Sequence, residues 1–223
     1  MTDDGRARPA APSAADPATL QSAVLVLTGE PAVGGVEPVN RLLIGVCAAV
    51  PTDDGGDDLT AMVTAELARR YLRAVRAHAA GAGVPRSWQM VFEQCGAGTS
   101  STLRTTLVGV HTLAGQDLAP AVVRTWTLLG RTPGPSARRA TETISTVLAG
   151  IVRDAARTER ERDPDGVAAA RGLALRLGRC DAWHRVELLW TLRGRPAEAE
   201  AECVESDRRT CAEGRALLEG PAG

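Results

Sequence analysis

Apolar positions along this chain recur at spacings of three and four and almost nowhere at two, which is the signature of helices rather than strands. From Glu37 to Val50 the positions Leu42, Leu43, Val46, Cys47 and Val50 predict a buried helix stopped by Pro51. The loop PTDDGGDD follows, with Asp57 or Asp58 read as the N-cap of the next helix. That helix runs to about Ala80 and is ended by Gly81 and Gly83, with Leu59, Met62, Val63, Leu67, Tyr71, Leu72 and Val75 on one side. Pro85 opens a short helix carrying Trp88, Val91 and Phe92. After the loop GAGTSS, Leu103, Leu107, Val110 and Leu113 mark another. Asp117 is read as the N-cap of a separate helix over Leu118–Leu129, with Pro120 tolerated in its first turn.

Beyond the turn RTPGPS, Ile144, Val147, Leu148, Ile151 and Val152 form an apolar stripe that dissolves into the charged run RTERERDPDG. A last long helix is predicted over about Val167–Leu192, holding Leu173, Leu177, Trp183, Leu188, Leu189 and Trp190. A more polar one spans about Pro196–Leu218. Residues 19–28 read as one or two helical turns closed by Gly29 and Pro31, and residues 1–18 as a disordered tail. The expectation is an all-α fold: a single-domain helical bundle over residues 19–223, of about seven to nine helices. Trp126–Arg131 echoes Trp190–Arg195, and two similar Gly-Arg helix ends explain it without duplication.

Composition narrows the function classes. At 223 residues and 44% apolar, the chain suits one sizeable core. All 26 basic residues are arginine, which points to a high-GC genome more than to arginine chemistry. The net charge is −1, and the arginines at 69, 70, 73 and 76 and at 138 and 139 alternate with glutamates as a solvated helix face would, so no nucleic-acid partner is expected. The N-terminus lacks the basic and apolar regions of a signal peptide, and no apolar run is long enough to span a bilayer. Five scattered cysteines without a CxxC pair fit reduced thiols, so the protein is expected to be cytoplasmic with no membrane partner.

Four features invite chemistry. The acids of DDGGDD (residues 53–58) resemble the aspartate-rich magnesium motif of class I terpene synthases, but two glycines split them and no second magnesium motif follows; a helix-capping loop is preferred. Cys180 and His184 stand four apart as two metal ligands would, but Cys203 and Cys211 diverge from any shared site, so no metal is expected. His78, in the last turn of its helix, is read as a capping residue. The segment GVHTLAGQDL (residues 109–118) is the strongest candidate. It places His111 near the end of one helix and Asp117 at the start of the next, and a histidine oriented by a carboxylate is a common general base. Against it stands a reading in which Asp117 caps its helix and His111 binds a backbone carbonyl.

Four pieces carry a family resemblance: ELARRYLRAV (66–75), VPRSWQMVFE (84–93), GVHTLAGQDLAPAV (109–122) and RCDAWHRVELLWTL (179–192). In this order they resemble the bacterial family called domain of unknown function 5995, over most of residues 38–193. The resemblance implies a central motif Gly-x-Asn-Ala-His-Ile-Asn-x-Asp-Leu. Gly109, Asp117 and Leu118 keep their places, whereas the family's asparagine, histidine and second asparagine fall on His111, Leu113 and Gly115. Leu43 and Cys47 likewise stand where the resemblance implies tyrosine and threonine. The family implies no established reaction.

The resulting expectation is a mostly apolar pocket between helices, lined by Leu43, Cys47, Tyr71, Leu107, His111 and Trp126. With no nucleotide-binding motif or other cofactor signature, it would suit a cofactor-independent cyclase or isomerase acting on a largely apolar small molecule, with His111 as acid/base and Asp117 orienting it. A non-catalytic small-molecule carrier and a metal-dependent hydrolase are the alternatives. The oligomeric state is left open.

Overall fold

The computed structural model describes residues 37–50, 59–97, 101–179 and 182–219. The expected tail, the 19–28 turns, the aspartate-rich loop with its caps, and Cys180 lie outside the described residues. Within them the chain is almost wholly helical and contains no strand.

The helices are α1 (Glu37–Ala49), α2 (Leu59–Ala79), α3 (Arg86–Ala97), α4 (Thr102–Thr112), α5 (Ala119–Leu128), α6 (Pro135–Thr158), α7 (Pro164–Gly178), α8 (Ala182–Thr191) and α9 (Pro196–Glu219). Their ends follow the sequence chemistry. Gly81 takes φ +65° while its N–H reaches the His78 carbonyl and Ala82 N–H that of Ala77, a left-handed cap ending α2. Gly130, at φ +62°, closes α5 the same way onto Thr127 and Trp126. The echo at Gly194 differs: that glycine sits in a short 3-10 turn, Leu192–Gly194. A different kind of cap holds α3. Asp207, far away on α9, accepts from the backbone N–H groups of Arg86 (2.8 Å) and Ser87 (3.0 Å) and from the Ser87 hydroxyl (2.6 Å).

Two expected boundaries are corrected. There is no corner between α4 and α5: a π-helical segment, Leu113–Leu118, joins them into one rod, and Thr112 and Leu118 both keep helical dihedrals. Asp117 therefore caps nothing. Pro120 explains the wide turn. Within a helix a proline lacks the N–H and its ring crowds the carbonyl four residues back, and an i→i+5 turn relieves the clash. In that register the N–H owed to the Gly115 carbonyl belongs to residue 120, which has none. The predicted helix over 167–192 is likewise two, α7 and α8, since α7 ends after Gly178 and packs chiefly on α6 while α8 turns to lie on α5.

The rod is the axis of the fold. Leu103, Leu107, Val108, Leu113, Leu118, Ala119, Val122 and Trp126 are all buried around its whole circumference, as a central helix requires. Helices α1, α2, α3, α6, α8 and α9 surround it, and one continuous apolar core runs through the described residues. None of these helices is long and apolar enough to cross a membrane.

Candidate functional site

A cleft of about 460 Å³ opens beside the π-helical segment, within the size range of small-molecule sites. His111, Ala114 and Gly115 of the rod form its floor. Leu173, Arg176 and Leu177 of α7, Arg185 and Leu188 of α8, and Glu202, Ser206, Arg209, Thr210 and Glu213 of α9 form its walls, with Ser145 of α6 behind.

Glycine sets how closely the floor meets α9. A Cβ on Gly115 would lie 2.8 Å from Thr210 Oγ1 and 3.1 Å from its Cγ2, so only glycine fits there. The carbonyl of Gly115, deprived of a helical donor by Pro120, accepts instead from Arg185 Nη1 and from Ser206 Oγ at 3.2 Å. One irregular turn thereby ties the rod to both α8 and α9.

His111 is buried, and its Nε2 lies 3.1 Å from the Thr210 carbonyl oxygen. A carbonyl only accepts, so Nε2 carries the proton and the neutral ring keeps a bare lone pair on Nδ1. Burial lowers the imidazole pKa below its ordinary 6.5 and Arg176 lowers it further, against the opposing pull of Glu213 and the Thr210 carbonyl. Glu213 Oε2 stands 3.7 Å from Nε2. The histidine is therefore neutral at physiological pH. Its Nε2–H tautomer leaves Nδ1 as the acceptor, and the hydrogen bond to a backbone carbonyl expected under the structural reading is present as well.

Asp117 faces elsewhere. Its Oδ1 accepts from Arg70 Nε at 2.8 Å and its Oδ2 from Trp88 Nε1 at 2.7 Å. Burial raises its pKa, while Arg70 and the Trp88 indole act in the opposite direction. Both oxygens are engaged as acceptors, which is the pattern of an ionised carboxylate. Asp117 thus locks α2 and α3 onto the rod and has no contact with His111. Arg70 is turned inward to meet it, where a solvated face was expected.

The remaining predicted lining residues are in the core. Leu43, Tyr71, Leu107 and Trp126 are almost fully buried and line no part of this cleft. Tyr71 packs on Trp88 with ring centroids 5.1 Å apart and donates to Asn40 Oδ1 at 2.5 Å. Cys47 is buried, its thiol pushed up to about 11 by burial, which leaves it inert. Only His111 of the predicted set reaches the cleft. Arg185, Thr210 and Glu213 were missed because they lie on α8 and α9, remote in sequence from the rod; the i, i+3 pair Thr210 and Glu213 was the one available signal.

As for metals, no cluster of three or more His, Cys, Asp or Glu side chains among the described residues is placed to hold an ion. His184, exposed beside Glu187 at 3.6 Å, also lines the cleft, with Ala182. His78, in the last turn of α2, packs against Phe92 with the rings tilted and their centroids 4.7 Å apart.

A family model described as "Family of unknown function (DUF5995)" matches residues 57–220. No curated protein and no solved structure matches the chain significantly.

Proposed function

Because the chain belongs to the family of unknown function DUF5995, and the matched span takes in the whole cleft, we propose that this cleft is the protein's working site: a small-molecule pocket in which His111 accepts a proton. The reaction class this favours is cofactor-independent proton transfer, of the isomerase or cyclase type. The single observation behind it is a neutral imidazole on the floor of an open cleft, fixed as its Nε2–H tautomer by Thr210.

The roles follow from the geometry. Thr210 orients the ring and stabilises positive charge once Nδ1 is protonated, since Nε2–H then donates more strongly to the carbonyl. Glu213, half exposed at 3.7 Å from Nε2, attracts the imidazolium, and the proton taken up at Nδ1 leaves again from Nδ1, to the product or to solvent, which restores the Nε2–H tautomer. Burial, with a lesser contribution from Arg176, holds the resting ring neutral. Asp117 is a structural residue that fixes the rod from behind. The walls combine leucines with arginines and glutamates, so the molecule accepted is amphipathic rather than wholly apolar.

The alternative of a non-catalytic carrier rests on Asp117, whose commitment to Arg70 and Trp88 leaves His111 without the carboxylate partner expected for it. One experiment separates the two. Native mass spectrometry identifies the small molecule that the freshly purified protein carries, and that molecule is then incubated in D2O with wild-type protein and with His111→Ala. Wild-type protein should introduce deuterium or convert the molecule, and the variant should bind it without doing so. Equal exchange by both removes His111 as the base, and binding without exchange by either establishes the carrier.

A further inference from the structure

Arginine side chains present a two-donor edge, Nε–H and one Nη–H, whose spacing matches the two oxygens of a carboxylate. This protein shows the match directly. Arg104 directs that edge at Asp163, with Nε to Oδ2 at 2.8 Å and Nη2 to Oδ1 at 2.9 Å. The third nitrogen of Arg104, Nη1, donates to the backbone carbonyl of Leu218. Arg185 has the second half of this arrangement without the first. Its Nη1 donates to the Gly115 carbonyl, while its Nε and Nη2 are buried with no hydrogen-bond partner among the described residues.

A guanidinium left half-bonded in the interior is costly, because donors removed from water are not replaced. Burial accordingly lowers the pKa of Arg185, with Arg209 adding to it and Cys203, Glu202 and Asp117 only partly offsetting it. Among the described residues no carboxylate lies within ion-pair distance of Arg185: Glu202 is near Arg209 at 3.7 Å, and Glu213 faces His111. Among the cleft's charged side chains, Arg176, Arg185 and Arg209 outnumber Glu202 and Glu213 by one positive charge. The missing partner is a single negative charge with two oxygens.

We propose that Arg185 is the anion anchor of the cleft and that its ligand is a small molecule bearing one carboxylate, bound side-on to Nε and Nη2, with its apolar body against Leu173, Leu177 and Leu188. The proposal rests on the cleft being the binding site and names the ligand class for it. The donor edge is closed to solvent in the resting state, so side-on binding requires Arg185, which already lines the cleft, to rotate its side chain and present that edge to the ligand. The Nη1 bond to Gly115 limits that rotation and sets the carboxylate toward the same floor as His111. A base beside an anchored carboxylate removes protons from carbons a short, fixed distance away.

The test uses three probes of one shape on the full-length protein: 4-phenylbutyrate, 4-phenylbutanol and 4-phenylbutyl phosphate. Binding is followed by NMR at the Arg185 Nε–H resonance and at the methyl groups of Leu173, Leu177 and Leu188. The butyrate should bind about tenfold more tightly than the alcohol, shift the Arg185 resonance, and lose that advantage in Arg185→Gln, which keeps the alcohol affinity. Arg185→Lys, which keeps the charge but not the fork, should lose most of the advantage too; since the wild-type Nε–H shift is read directly, poor folding of either variant does not hide the answer. Butyrate and alcohol binding equally in the cleft, or an unshifted Arg185, overturns the anchor and leaves the pocket standing. Tighter binding of the phosphate overturns the carboxylate. Probes that perturb none of the cleft leucines overturn the pocket itself.

Discussion

A histidine buried beside an arginine and a carboxylate titrates according to whichever influence is strongest, and at His111 burial outweighs the rest. Its pKa in the folded protein lies below the 6.5 of an open chain, so between those two values the unfolded chain binds the proton and the native one does not. By linkage, stability rises with pH through that window and levels off above about 6.5; as pH falls, the contribution is lost. His111→Gln should flatten this part of the profile. Urea denaturation of both proteins across that range checks it: the wild-type midpoint climbs with pH and the variant's does not, whereas parallel profiles would show that His111 is not the titrating group. At this scale the sequence told half the story. His111 and Asp117 stood out by residue type alone, but their partners came from Arg70, Trp88 and Thr210, in three other helices, and no local spacing reveals which side chain a buried carboxylate will meet.

Most helices were legible because each is an apolar stripe of period 3.6 ended by glycine or proline. The two misjudged boundaries have one lesson between them. Gly115, Asp117 and Pro120 are all breaker or cap residues, and together they read as a helix end, yet the rod runs through them because its flanks are apolar on every side and packing outweighs local propensity. At 178–182 the opposite holds: an unbroken apolar periodicity is cut because its two halves pack on different neighbours. The π-helical turn is the element most sensitive to substitution. Gly115→Ala places a methyl group against the β-branched Thr210, which has little freedom to move, and should cost about 1–3 kcal/mol. It should also displace Thr210 from His111. Calorimetry gives the first effect; an unchanged melting temperature would mean that α9 does not press on the rod as described.

In the whole molecule the cleft lies where the central rod, α7, α8 and α9 converge, and long-range polar ties hold that meeting in place. Arg104 binds Asp163 at the start of α7 and the Leu218 carbonyl near the end of α9; Asp207 of α9 caps α3; Gly115 receives Arg185 and Ser206. Arg104 lowers the Asp163 pKa below its ordinary value, aided by the Gly166 N–H that Asp163 also caps. The all-α architecture was legible from periodicity, whereas the cleft was not, since it depends on how α7, α8 and α9 are laid against a rod that ends more than thirty residues earlier in the chain. The account stands on His111 being a neutral Nε2–H imidazole pinned by α9 at the floor of that cleft. Long-range ¹H–¹⁵N NMR of the histidine side chains, followed from acid to alkaline pH, reads this directly. A protonated Nε2, a bare Nδ1 and a titration midpoint below 6.5 are expected for His111; a proton on Nδ1, or a midpoint at or above 6.5, would overturn its assignment as the base.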